Sequence, residues 1–168
     1  KNIPDEYRVT VPTEPQKMTV LIVPPMQEPY IKEISTGLEA LQKEVGGRIE
    51  VVYPFAEPVG LICNDEGKNE RMELNRALYD AEDNMYDIIA GTFVLAGLSG
   101  DNFGSLDKDQ IKQFSERFAK PEMFMRINGK ITAVEVKPSI KAKLDRLQKE
   151  QNNTDKPQPQ KKPREETL

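Results

Sequence analysis

The hydrophobic pattern divides the chain into short runs with strand character and longer stretches with helical spacing. The longest apolar run, 86–98, passes from Tyr86 through Ile88, Ile89, Phe93, Val94 and Leu95 to Leu98. Its nearly unbroken apolar character predicts a strand buried on both faces at the centre of a small sheet. Residues 18–23, closed by Pro24 and Pro25, predict the first strand. Residues 49–55 and 59–63 predict a hairpin turning at Pro54 to Pro58. The second of these strands runs into Asn64, Asp65, Glu66 and Gly67, whose short polar side chains and glycine suit a turn. Asn128 and Gly129 sit between two further β-favouring runs, 123–127 and 130–136. A type I′ turn needs positive φ at both central positions, so this pair predicts a hairpin at an edge of the sheet.

Helical spacing appears in four places. Ile31, Ile34, Leu38, Leu41 and Val45 follow Pro29 at intervals of three and four, with Lys32, Glu33, Glu39, Lys43 and Glu44 on the other side. They predict an amphipathic helix over 30–45, ended by Gly46 and Gly47 in a left-handed cap. Asp107, with Gln110 three residues on and Leu106 and Ile111 around it, predicts a capping box and hydrophobic staple. The helix that follows, over 107–119, carries its buried stripe on Ile111, Phe114 and Phe118 and stops at Pro121. Met72, Leu74 and Leu78 predict a helical turn within 68–84, and residues 97–104 a flexible glycine-rich connection. Ile140, Leu144 and Leu147 give a narrower stripe over 138–150.

These elements predict one α/β domain of the α+β type: a mixed, mainly antiparallel sheet of five or six strands with two helices packed on it. Residues 1–17, broken by Pro4, Pro12 and Pro15, read as an extended arm or linker, with Val9 and Val11 available for a short edge strand. The core spans 18–137, the C-terminal helix 138–150, and a disordered basic tail 151–168, which is too poor in apolar residues to offset its chain entropy.

Charge and composition narrow the chemistry. The net charge of −4 conceals a division: 18–137 holds 13 Lys/Arg against 20 Asp/Glu, and 138–168 holds 8 against 5. An acidic body disfavours broad phosphate-backbone binding, leaving nucleic acid to the basic tail, where Lys156, Lys161, Lys162 and Arg164 lie. The absence of histidine removes the commonest general base, the imidazole metal ligand and the usual partner of a nucleophilic Ser or Cys. Cys63, the single cysteine, excludes an internal disulfide and fits a reducing, cytoplasmic setting. The longest apolar run falls short of the roughly 20 residues that cross a bilayer, so no membrane partner is expected.

Several phrases together resemble one family. They are Gly37-Leu38-Glu39-Ala40-Leu41-Gln42-Lys43-Glu44-Val45-Gly46-Gly47-Arg48-Ile49-Glu50, Ile62-Cys63-Asn64-Asp65-Glu66-Gly67-Lys68, Leu74-Asn75-Arg76-Ala77-Leu78 and Asp87-Ile88-Ile89-Ala90-Gly91. The chain resembles the domain of unknown function numbered 3846, strongly over 18–98 and more weakly to 136. The resemblance implies a mobile-element context (conjugative elements, phages, gut Firmicutes) and transfers no catalytic residue.

Candidate sites are few. Cys63 lies beside Asp65 and Glu66, which raise rather than lower a thiol pKa, so a core role outweighs a nucleophilic one. Asp65 and Glu66 offer a cation or acid/base pair, against the commoner solvated turn. Gly97, Gly100 and Gly104 precede a helix but lack a Walker-type lysine, and Asp107 already fills the phosphate position. Asn75 and Arg76, with Arg71 nearby, interrupt an apolar turn; they suit an internal hydrogen-bonded anchor more than an anion site. The segment 57–109 carries 12 acidic against 4 basic residues, a surplus that suits a solvated surface more than a mimic of nucleic acid.

The expected protein is a non-catalytic interaction module, an accessory factor of a mobile genetic element, that binds another protein through Asn64, Asp65, Glu66, Arg71, Asn75 and Arg76 and the 138–150 helix. No cofactor or metal is expected. The alternatives are a small-ligand or nucleotide-binding protein using Asn64, Asp65, Asn75 and Arg76, and an acidic DNA mimic with anti-restriction activity.

Overall fold

A six-stranded antiparallel sheet with both faces covered organises the computed structural model, which describes residues 16–138, 144 and 146–148. In chain order the elements are β1 (Lys17–Val23), β2 (Tyr30–Ser35), α1 (Leu38–Val45), β3 (Ile49–Val52), β4 (Val59–Asn64), β5 (Leu74–Tyr79), β6 (Met85–Ala90), β7 (Phe93–Ser99), β8 (Asn102–Gly104), α2 (Lys108–Arg117), β9 (Glu122–Ile127) and β10 (Lys130–Glu135). The main sheet runs β2-β1-β7-β4-β3, with β8 paired to the far end of β7. Two separate ribbons, β5-β6 and β9-β10, complete an α+β domain.

β7 is the strand that the apolar run predicts. Phe93 to Gly97 are all buried, and their side chains alternate between two cores. Phe93 and Leu95 join Leu21, Val23, Leu61 and Phe114 on the α2 side. Val94 and Ala96 join Val20, Ile22, Ile62 and Leu41 on the α1 side. A strand between two layers needs apolar residues at every position, and that is the pattern here.

The run is not one strand, however. Gly91 breaks it with φ of +80°, and β6 leaves the main sheet to pair with β5. A Cβ at residue 91 would lie 2.8 Å from the Met72 Sδ, so backbone freedom and close approach both call for glycine there.

The expected 30–45 helix also divides. Tyr30–Ser35 pairs with β1 from Met18↔Ile34 to Ile22↔Tyr30, and only Leu38–Val45 is helical. Ile31 and Ile34 satisfy both helical spacing and a strand preference. The long pairing with β1 decides between them, leaving Ile34 buried and Ile31 exposed. Gly46 closes the shortened helix in the left-handed conformation, φ 79°, its N–H donating to the Gln42 carbonyl.

Residues 74–79 form a strand rather than a helical turn, and 102–104 pair with β7 where a flexible connection was expected. α2 begins as its sequence predicts: the Gln110 N–H donates to the Asp107 Oδ1 at 2.7 Å and the Asp107 N–H to the Gln110 Oε1 at 3.0 Å. Leu106 and Ile111 pack into one core. The Asn128–Gly129 turn has φ of 51° and 80°, but its hairpin is a ribbon of its own, not an edge of the main sheet. Residues 144 and 146–148 are helical, with Arg146 stacked over the Tyr30 ring, while the rest of the 138–150 helix, the 1–15 part of the arm and the tail lie outside the described residues. No helix among the described residues is long and apolar enough to cross a membrane.

Gly91→Ala should destabilise the protein by roughly 1–3 kcal/mol, the cost of a left-handed β-carbon plus displacement of Met72. Urea unfolding would measure it, and an unchanged midpoint would refute the role assigned to the break.

Candidate functional site

Asn75 and Arg76 sit side by side in a strand, yet both side chains are fully buried. Regular strand geometry sends neighbours to opposite faces. The β5-β6 register explains the exception: Leu74 faces Ala90 and Arg76 faces Ile89, so Asn75 is the extra residue of a β-bulge. A bulge re-aims side chains.

Once inside, the two residues form a hub. The Asn75 Nδ2 donates to the carbonyls of Val23 at 2.7 Å and Gly91 at 2.9 Å, and its Oδ1 accepts from the Arg76 Nη1 at 2.7 Å. The same Nη1 donates to the Pro24 carbonyl at 3.3 Å, and Nη2 donates to the Gln27 and Phe118 carbonyls, both at 2.7 Å. The end of β1, the loop after it, the β6-β7 break and the end of α2 are thus tied to one guanidinium and one amide. Burial pulls the Arg76 pKa down to about 10, opposed by the nearby Glu122 carboxylate. The Arg76 Nε is buried without a hydrogen-bond partner.

Glu122, at the start of β9, accepts from the Ala77 N–H at 2.8 Å and so fastens the β9-β10 ribbon beside β5. Its carboxyl pKa is raised, first by burial and then by Glu135 across the ribbon, while the Ala77 bond and Arg76 act in the opposite direction.

The other predicted residues belong to a different place. Asn64 is buried at the end of β4, its Nδ2 donating to the Val45 carbonyl at 3.1 Å and its Oδ1 accepting from the Glu66 N–H at 2.7 Å. It clamps the end of α1 to the following turn. Asp65 and Glu66 share the exposed Arg48 guanidinium at 3.1 and 3.2 Å. Such exposed pairs contribute little stability. Arg71 ends the turn in a left-handed conformation, φ 56°, and is exposed, sharing no hydrogen bond with Asn75 or Arg76.

Asn64 and Asp65 line a small open pocket of about 220 Å³ with Glu50, Cys63, Lys68 and Asp87. Lys68 is paired with Asp87 there. The Cys63 thiol is pushed up to about 11 by burial first, then by Glu50, Asp87 and Asp65, with Lys68 opposing. A thiol so raised is a poor nucleophile at neutral pH. Arg76 lines a separate cleft of about 620 Å³ with Tyr79, Phe118, Glu122 and Glu135. The sites predicted for one ligand therefore fall in two places. Among the described residues no cluster of three or more Cys, Asp or Glu is placed to hold a metal ion.

Sequence reasoning missed Glu122, whose role depends on a strand 45 residues away. It also missed the outward face of the β9-β10 ribbon. Met123, Met125 and Ile127 project from β9 on the same side as Val134 of β10, and all four are exposed. Alternation at every second residue before the Asn128–Gly129 turn was the available signal.

A two-faced antiparallel sheet closed by a buried Asn-Arg hub defines a small α+β domain. Residues 18–119 match the model of a domain of unknown function, DUF3846, and the chain belongs to that family. No curated protein and no solved structure matches the chain. The matched region holds the main sheet but for Lys17, together with the hub, and the β9-β10 ribbon follows it.

Arg76→Met should cost roughly 3 kcal/mol or more, because the Gln27 and Phe118 carbonyls lose a charged donor inside the protein. Chemical denaturation would register the loss, whereas a midpoint within error of wild type would exclude the hub as an anchor. A second test follows from Glu122. Its folded pKa is raised, so the folded state binds more protons than the unfolded one above the ordinary value of 4.5. Stability from this group is therefore present below that pH and declines as pH rises from it. Glu122→Gln should flatten that decline in stability curves collected on either side of pH 4.5. An equally steep decline in the variant would assign the effect elsewhere.

Proposed function

We propose that this chain is a non-catalytic, cytoplasmic protein-binding module, an accessory factor of a mobile genetic element, and that it engages its partner through the outward face of the β9-β10 ribbon. The observation that carries the reading is the contiguous exposed row of Met123, Met125, Ile127 and Val134 on a ribbon fastened to the body. Methionine-rich apolar surfaces adapt to varied partners. Lys130, opposite Ile127 on the same face, makes no ion pair among the described residues. The complementary partner is a protein segment with an apolar centre and an acidic residue at the end that meets the turn.

The polar residues support the same reading by being used up. Asn64, Asn75 and Arg76 are spent on backbone carbonyls within the fold, and Asp65 and Glu66 on Arg48. A small ligand recognised by Asn64, Asp65, Asn75 and Arg76 together would need them in one pocket, yet Asn64 and Asp65 line one, Arg76 lines another, and Asn75 is wholly buried. The single buried thiol supports a reducing compartment. The mobile-element context rests on the resemblance of the sequence phrases to their family.

A photo-crosslinking residue at Met125, introduced into the full chain in its native host, should yield a defined protein adduct. The same residue at the exposed Tyr53 should not, and Ile127→Asp should abolish the adduct while leaving the unfolding midpoint within about 0.5 kcal/mol. Equal labelling from both positions, or none from Met125, would overturn the reading.

A further inference from the structure

Strand edges are templates for pairing with another chain, and proteins usually guard them with charge, proline, bulges or shortness. Among the described residues the edges of this fold are guarded with one exception; β9, fastened to β5 through Glu122, also carries Arg126. β2 carries Lys32 and Glu33 at its centre, β3 is four residues long, β8 is three, and the β5-β6 ribbon is irregular at two points. β10 carries charge only at its two ends, Lys130 and Glu135. Its interior, Ile131-Thr132-Ala133-Val134, is uncharged and rich in strand formers, its register with β9 is unbroken, and β9 is its one strand neighbour among the described residues.

The hydrogen-bond parity of the ribbon says which groups face outward. The Val136 N–H donates to the Pro121 carbonyl at 2.8 Å, continuing the register that pairs Lys130 with Ile127. In an antiparallel pair, bonded and non-bonded positions alternate. Residues 130, 132 and 134 therefore bond inward to β9, and Ile131, Ala133 and Glu135 turn both backbone groups to the open edge.

We infer that β10 is a self-association edge, pairing antiparallel with β10 of a second copy about a two-fold axis at Ala133 to make a four-stranded sheet. This register uses the outward groups of all three residues: Ala133 faces Ala133, and Ile131 faces Glu135 of the second copy. It is also charge-complementary. The ribbon is basic at its turn, where Arg126 and Lys130 lie, and carries Glu122 and Glu135 at its base, Glu135 lying 3.3 Å from the exposed Lys120 ammonium. Antiparallel pairing sets each basic end beside the other copy's acidic end. Arg126, Ile131 and the second copy's Glu135 share one row on one face. On the other face, Met125 and Thr132 continue into Val134 and Met123 of the second copy, merging two apolar rows. The edge and the apolar face are different surfaces, so self-association and partner capture fail separately.

Analytical ultracentrifugation of the full chain at about 0.1 mM tests the pairing, a concentration suited to the modest area of a two-strand contact. A dimer is expected, with slowed amide exchange at Ile131, Ala133 and Glu135 as concentration rises and no such change at Thr132 and Val134. Ala133→Pro removes an outward N–H without breaking a bond to β9, and Ile131→Glu sets a carboxylate against the second copy's Glu135. Each should weaken dimerisation by about tenfold or more. Should Ala133→Pro disturb the fold by circular dichroism, Ile131→Glu decides alone. A wild-type monomer throughout, or a dimer indifferent to Ile131→Glu, would overturn the inference.

Discussion

The buried guanidinium of Arg76 holds together parts of the chain that have no other reason to meet. Its donors and those of Asn75 reach carbonyls up to 52 residues away, at the end of β1, in the loop after it, at the β6-β7 break and at the end of α2. Loop and helix-end carbonyls cannot be satisfied by a neighbouring strand, and buried carbonyls left without donors are costly. One planar group with several donors resolves several such deficits at once, which a lysine point charge could not do in the same geometry. Desolvation works against this arrangement, as the lowered Arg76 pKa records. The bonds to neutral carbonyls and the neighbouring Glu122 offset it.

That arrangement depends on two local departures from regular structure. The bulge at Asn75 turns adjacent side chains inward together, and the left-handed Gly91 sends β6 away from the sheet that β7 enters. Each departure supports the other. The Gly91 carbonyl accepts from Asn75, its N–H donates to the Glu73 carbonyl at 2.7 Å, and Met72 fills the space against its Cα. The β5-β6 ribbon thereby becomes a second cover for the α2 face of the main sheet, contributing Leu78 and Ile89 to the same core as Phe93 and Phe114.

What could be read from the sequence was what local chemistry decides. The Asp107–Gln110 capping box, the Asn128–Gly129 turn, the Gly46 cap and the β3-β4 hairpin each declare themselves within a few residues, and each is present. The both-face burial of β7 was legible because a central strand needs no polar positions. The strand at 30–35 was not, since Ile31 and Ile34 satisfy helical spacing as well, and only pairing with β1 separates the two. The positions of Asn75 and Arg76 were legible as an anomaly in an apolar stretch. Their geometry was not, because an inserted bulge residue shifts every later side chain and leaves no mark of its own.

The β9-β10 ribbon contrasts with the body it is fastened to. An isolated two-stranded ribbon is marginal in water, so its position requires an anchor. The anchor found is a half-buried carboxylate: Glu122 lies opposite Glu135 with its pKa raised by burial and by that neighbour, and it is held by a backbone N–H of β5. Burying one acid opposite another is costly, a cost that Lys120, 3.3 Å from Glu135, only partly offsets. Phe124 and Ala133 turn toward the body, yet the longer apolar side chains, Met123, Met125 and Ile127, are left in solvent. A ribbon selected to seal the core would have the opposite pattern, with methionine and isoleucine inward and small or charged residues outward. The fold instead accepts an electrostatic penalty to hold an apolar surface and an open edge in fixed positions, and that is the physical ground on which contact with another chain is proposed.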